Sequence, residues 1–372
     1  MTRTRRVVGL LTLLALVFIF LGVTGVQVPL PHVGGSVEQA ALPGVRAAAA
    51  STLLRVGSGA PPGGELAFMA VESSSGNVVV SDAKRSTVMR FDPSGHLLSE
   101  WGPQFGTTLL QQPAGVAVSG NNYFVIDRGT PRILRLDETG QLQAVLDLQS
   151  LSTYGLNGLA LDANGNIYAA DTGRNRILVL APTGQLIKEI GRAGKDLGAF
   201  TQPMMLAFAP DGSFVVADWE NSRLERFDQT YQATDAWQTN FRAFGVAVDQ
   251  TGRVYAPDSD HHRVEAYSPQ GAALGEMGAP ASPAIDVAPR QVALAASGQA
   301  SLYVLGGDGI QRLDLENTAP PPQSGPGVDL LSVFVILLMV ALVAVAVLSR
   351  RQRRSFGAAP GRPVGLHAED SA

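Results

Sequence analysis

From residue 52 to residue 315 apolar and polar positions alternate over runs of four to six residues, and turns bearing Gly, Asp or Asn separate the runs. A period of two over such short stretches predicts antiparallel β-strands. The runs are themselves periodic. Gly158 opens GLALDANGNIYAADTGRNRILVLAPTGQL, Gly115 opens GVAVSGNNYFVIDRGTPRILRLDETGQL, Met205 opens MLAFAPDGSFVVADWENSRLERFDQT, and Gly245 opens GVAVDQTGRVYAPDSDHHRVEAYSPQG. A further copy opens at Leu66, and a degenerate one occupies residues 291–315.

An aspartate ending the second strand sets the register at Asp82, Asp127, Asp171, Asp218 and Asp258, with steps of roughly 40–47 residues. Six positions after each comes an apolar residue that starts the next strand: Val88, Ile133, Ile177, Leu224 and Val264. In four of the five copies the residue before it is an arginine, Arg132, Arg176, Arg223 or Arg263. Four short strands per unit at this spacing describe a propeller blade, so the pattern predicts an all-β, six-bladed β-propeller. The last copy supplies only three strands. Residues 52–57, TLLRVG, match the outer strand at 185–191, QLIKEIG, and are expected to complete the sixth blade and remove an exposed edge.

The third copy's GLALDANGNIYAADTGRNRI and the glycine-rich inter-blade loop GRAGKDLGAFTQP resemble the NHL-repeat family of β-propellers, over about residues 52–315. The last copy departs most, with Gly306 and Gly307 where the others place the Asp-bearing turn. The resemblance implies a sensor or scaffold domain on a membrane protein. Some members are lyases that amidate peptides or open cyclic peptides, and related six-bladed propellers hydrolyse lactones with a central metal. Such enzymes need histidines or carboxylates converging on the axis, and the repeat region holds only His96, His261 and His262.

Outside the repeats the pattern changes. Residues 7–26 are uncharged and follow Arg3, Arg5 and Arg6; residues 330–348 are uncharged and precede Arg350, Arg351, Arg353 and Arg354. Each run is long enough to cross a hydrocarbon core of about 30 Å as a helix. Arginine flanks mark the cytoplasmic side at both ends, which places everything between them outside. The first run also reads as a signal peptide, but no small-residue cleavage site follows closely, which favours an uncleaved anchor.

The expected organisation is a cytoplasmic N-terminus (1–6), a transmembrane helix or signal anchor (7–26) and a linker (27–51). The propeller (52–315), a Pro-rich linker (316–327), a second transmembrane helix (328–348) and a disordered basic cytoplasmic tail (349–372) follow.

A net charge of −4 and a pI near 5.8 give no basic field for nucleic acid. The absence of cysteine excludes disulfides, thiolate metal sites and cysteine nucleophiles. No catalytic or cofactor motif is present: HExxH and GxSxG are missing, and Lys195 in GRAGKDLG lacks Walker spacing. Asp258, Asp260, His261 and His262 could be metal ligands, but they occupy the ordinary turn of the repeat, and a solvated loop is expected.

The recurring Asp and Arg residues are expected to cap turns and to pair with a neighbouring blade's carboxylate or carbonyl. Exceptions to a repeat are better site markers, and Trp219 replaces a small residue after its aspartate. Trp219, Arg132, Arg176, Arg223 and Arg263 are therefore the candidate ligand contacts. The composite expectation is a membrane-anchored, extracytoplasmic propeller that binds a protein, peptide or envelope glycan; the alternative is a metal-dependent lyase or lactonase-like hydrolase on the axis.

Overall fold

The computed structural model describes residues 47–55, 65–278, 285, 289–295, 301–306 and 309–315. Both apolar runs, the Pro-rich linker and the basic tail lie outside the described residues. Among the described residues no helix is long and apolar enough to cross a membrane.

Each repeat folds as four antiparallel strands. In the third, Leu156–Leu161, Ile167–Asp171, Arg176–Leu180 and Leu186–Ile190 pair in chain order. The second strand is buried along its whole length and the outer one exposes its middle, so the apolar run and the alternating run of the sequence become interior and rim. The connecting turn closes on Gly165 alone, at φ 79°, while Asp162 Oδ1 accepts the backbone N–H groups of Asn164 and Asn166 at 2.8 and 2.9 Å. This is a three-residue hairpin loop with one left-handed residue, which a Cβ would oppose.

Six four-stranded sheets result. Their inner strands are Leu66–Val71, Pro113–Ser119, Leu156–Leu161, Pro203–Phe208, Ala247–Val248 and Pro289–Ala295, which define blades 1 to 6. Each inner strand contacts the next, and the sixth returns to the first. The ring is closed.

Closure uses both ends of the repeat region. Strand Ala47–Arg55 pairs antiparallel with Gly309–Leu315, from Ala47 opposite Leu315 to Arg55 opposite Gly309, and completes blade 6. It begins at Ala47, inside the Ala-rich stretch whose composition reads as linker. Blade 6 itself starts at Pro289, and Gly306 pairs directly with Gly309 where other blades carry the aspartate turn. Across the seam the Gln291 side chain acts as a piece of strand: its Oε1 accepts the Met69 N–H and its Nε2 donates to the Met69 carbonyl, both at 2.7 Å.

Blades 2 and 3 place glycine where blade 6 places Gln291. A Cβ on Gly115 would lie 2.1 Å from the Asn157 carbonyl oxygen, and one on Gly158 would lie 2.4 Å from that of Met204. Glycine lets neighbouring inner strands approach to backbone contact, which brings the blade entrances together around the axis. Gly158→Ala is expected to lower stability by about 3 kcal/mol, since backbone must move to admit the methyl group. A urea unfolding midpoint within error of wild type would refute this packing role.

Candidate functional site at the axial mouth

One carboxylate ends the second strand in each of five blades, and in four of them it also organises the blade's entrance. Asp82, Asp127, Asp171, Asp218 and Asp258 are buried. Oδ1 accepts backbone N–H groups from the segment entering the inner strand: Glu65 for Asp82 at 2.9 Å, Gln112 for Asp127 at 3.0 Å, Tyr154 for Asp171 and Thr201 for Asp218 at 2.7 Å. Oδ2 takes the arginine five residues on. Arg132, Arg176, Arg223 and Arg263 lie 2.9, 2.9, 2.8 and 2.9 Å from Asp127, Asp171, Asp218 and Asp258. The arginines thus pair within their own blade, where the sequence suggested a neighbouring one, because Asp and Arg face each other across the second and third strands.

The spare guanidinium donors tie down the connection from the preceding blade. Arg132 Nη2 donates to the Leu109 carbonyl at 2.6 Å and Arg176 Nη2 to that of Leu151 at 2.7 Å. Arg223 donates to the Lys195 and Asp196 carbonyls at 2.7 and 3.0 Å, so the glycine-rich loop is anchored and the Lys195 side chain stays exposed.

Trp219 is half-buried, with the Arg242 guanidinium 4.9 Å from its ring centre and Arg242 paired to Glu220 at 3.0 Å. His262 takes the left-handed turn position at φ 54°, equivalent to Ser86, Asn175 and Ser222, and His261 Nδ1 sits 2.8 Å from Asp258 Oδ2. Among the described residues no group of three or more His, Cys, Asp or Glu is arranged to hold a metal ion.

The exceptions to the repeat gather elsewhere, at the axis. The second position of the inner strand is Ala67, Ala114, Asn157, Met204 and Arg290 in blades 1, 2, 3, 4 and 6, and Phe244 is its counterpart in blade 5. All but Ala114 line a cavity of about 430 Å³, and Glu65, Phe68, Ala83, Lys84, Gln112 and Arg128 complete the wall. Arg128 follows Asp127 as Trp219 follows Asp218, where the other blades have Ala83, Thr172 and Ser259.

At this mouth Phe68 and Phe244 meet with ring centres 5.6 Å apart. Arg128 lies over Phe68 at 5.9 Å and Arg290 over Phe244 at 5.2 Å, a row of two cations flanking two rings. Burial, and then the neighbouring Arg290, push the Arg128 guanidinium below its ordinary pKa. From Arg128 a second cavity of about 740 Å³ runs outward over blades 2 and 3, lined by Pro131, Tyr154, Leu156 and Gln202. Gln112, Arg128 and Asn157 border both, so mouth and groove are continuous.

The NHL repeat family matches residues 153–180. By sequence, no curated protein matches the chain. Among solved structures, a catalytically inactive virginiamycin B lyase from Staphylococcus aureus with quinupristin is similar at TM-score 0.52 and 13% identity, covering 72% of this chain and 99% of that one. A streptogramin B lyase structure gives TM-score 0.52 and 13% identity, covering 72% of this chain and 98% of that one. The selenomethionine-substituted S. aureus virginiamycin B lyase gives 0.50 and 12%, covering 73% and 89%. At such identity the likeness is one of fold. The described residues form a six-bladed β-propeller carrying an NHL repeat.

Blade 4 carries a titratable group beneath its entrance. Glu225 is fully buried beside Arg223, 3.2 Å away, accepts the Gly198 N–H, and is pushed by burial up to about 7. Its folded-state pKa lies above its unfolded value near 4.5, so the stabilising proton is present at low pH. Stability is therefore lost as pH rises from about 4.5 through 7, by about 3 kcal/mol in total at 1.36 kcal/mol per pKa unit. Glu225→Gln is expected to remove that part of the pH dependence. Melting curves of the two proteins that run parallel across this window would contradict it.

Proposed function

We propose that this protein is a membrane-anchored, extracytoplasmic binding module that recognises a protein, peptide or envelope ligand on the propeller face bearing the axial mouth. The anchoring part draws on the two arginine-flanked uncharged runs, and the NHL propeller fold supports a binding or scaffold role. The binding part is carried by one observation: the blade positions that break the repeat converge on a single cavity, with two guanidinium groups above phenylalanine rings. Such a wall offers hydrogen bonds and apolar contact, the ingredients of recognition.

A lyase on the axis is the second reading. It draws on the fold shared with virginiamycin B lyase, and on Glu65, the carboxylate that lines the mouth and the group there suited to proton transfer.

Because the chain has no native cysteine, single cysteines report topology cleanly. Leu197→Cys, half exposed at 51%, is expected to react with a membrane-impermeant maleimide on intact cells, and Ser355→Cys only after lysis. The reverse pattern would end the extracytoplasmic assignment. A photo-reactive phenylalanine analogue at Tyr154, which is 70% exposed in the groove, is expected to give a discrete cross-linked adduct, while the same group at outer-strand Ile187 gives none. Identical behaviour at both positions would remove the binding face from consideration.

A further inference from the structure

Four of the repeat's arginines are ion-paired within their blades, and Arg85, Arg90, Arg192, Arg226, Arg242 and Arg312 also hold carboxylates. Among the described residues Arg128, Arg290, Arg135 and Arg174 show no ion pair or side-chain hydrogen bond, and the buried Nε atoms of Arg128 and Arg135 have no acceptor. Of these four, Arg128 and Arg290 are the two that meet at the mouth. Two like charges brought together over apolar rings are unfavourable unless an anion shares them. With Lys84 on the wall and Glu65 opposing, the mouth carries a surplus of positive charge in a chain whose net charge is −4.

Resting on the binding reading above, we infer that the mouth receives a carboxylate, held between Arg128 and Arg290, whose adjoining apolar or aromatic group lies in the groove toward Tyr154. The Arg128 guanidinium lies over the Phe68 ring and that of Arg290 over Phe244, and guanidinium N–H groups suit a carboxylate's paired oxygens. A bare inorganic anion takes up only part of a mouth of about 430 Å³ and leaves the groove empty; the groove, of about 740 Å³, sets the apolar faces of Pro131 and Tyr154 among polar neighbours such as Gln112, Thr172 and Gln202. The shared chemistry, a carboxylate next to an apolar group, is found both in a free aryl-substituted acid and at the C-terminus of a peptide.

Isothermal titration of the full-length protein in detergent distinguishes these sources with four probes: hippurate, the tripeptide Ala-Ala-Phe, its C-terminal amide, and inorganic phosphate. Saturable binding of hippurate or of the free-acid tripeptide is expected, with affinity at least tenfold weaker for the amide. Hippurate as tight as the tripeptide identifies a free small acid; a tighter tripeptide identifies a peptide end. Arg128→Ala and Arg290→Ala are each expected to weaken binding about tenfold, and Arg128→Lys to recover only part of it, because a point charge lacks the guanidinium fork. Unchanged melting temperatures keep these variants interpretable, since neither arginine takes part in the aspartate pairs.

Equal affinity for acid and amide, phosphate binding as tightly as either acid, or no binding of any probe would each overturn the inference. Failure of the probes with a persistent Tyr154 adduct would sink this ligand class alone. Binding of the probes without an adduct would sink the macromolecular partner and leave the anion site.

Discussion

The buried aspartate at the end of each second strand is the interaction on which the other features rest. A carboxylate without water is costly unless its lone pairs are filled, and each of these is filled from two directions: backbone N–H groups on one oxygen and, in four blades, an arginine on the other. In blades 2, 3 and 4 the same arginine then reaches the connection from the preceding blade. One ion pair therefore fixes the start of the inner strand, the turn and the inter-blade loop together. Blade 1 shows what its absence looks like: Thr87 stands in the arginine position, and Asp82 Oδ2 and Thr87 Oγ1 are both buried without partners.

Much of this was legible in the sequence because a repeat multiplies weak signals. The Asp and Arg spacing, the alternation and the orphan strand that closes blade 6 all follow from comparing copies with one another. Pairing of each arginine within its blade was not legible, since spacing along a chain does not say which neighbour a side chain meets across a sheet. The axial site was hidden for a more specific reason. The copies align most readily from Gly115, Gly158, Met205, Gly245 and Gln291, and the residues that ring the mouth in blades 3 to 6 lie one position earlier, at Asn157, Met204, Phe244 and Arg290. Arg128 was within reach, for it occupies the position at which Trp219 draws notice.

A division of labour follows from that offset. Positions repeated in every blade carry the architecture, and selection at them is constrained by sheet geometry. The second position of the inner strand lies at the axial mouth in five of the blades. It tolerates alanine, asparagine, methionine, phenylalanine and arginine in turn, so recognition can change there without disturbing the blades.

The seam of blade 6 gives the ring a direction of mechanical weakness. Ala47 lies opposite Leu315 at one end of an antiparallel pair, so tension drawing these two residues apart would load the rungs of that ladder one after another and never all at once. A joint that parts rung by rung yields to small forces, whereas Gln291, bonded to both backbone groups of Met69, belongs to a separate contact at the inner strand. Stretched in this way the molecule would shed its first strand like a zip fastener before any other blade felt the strain.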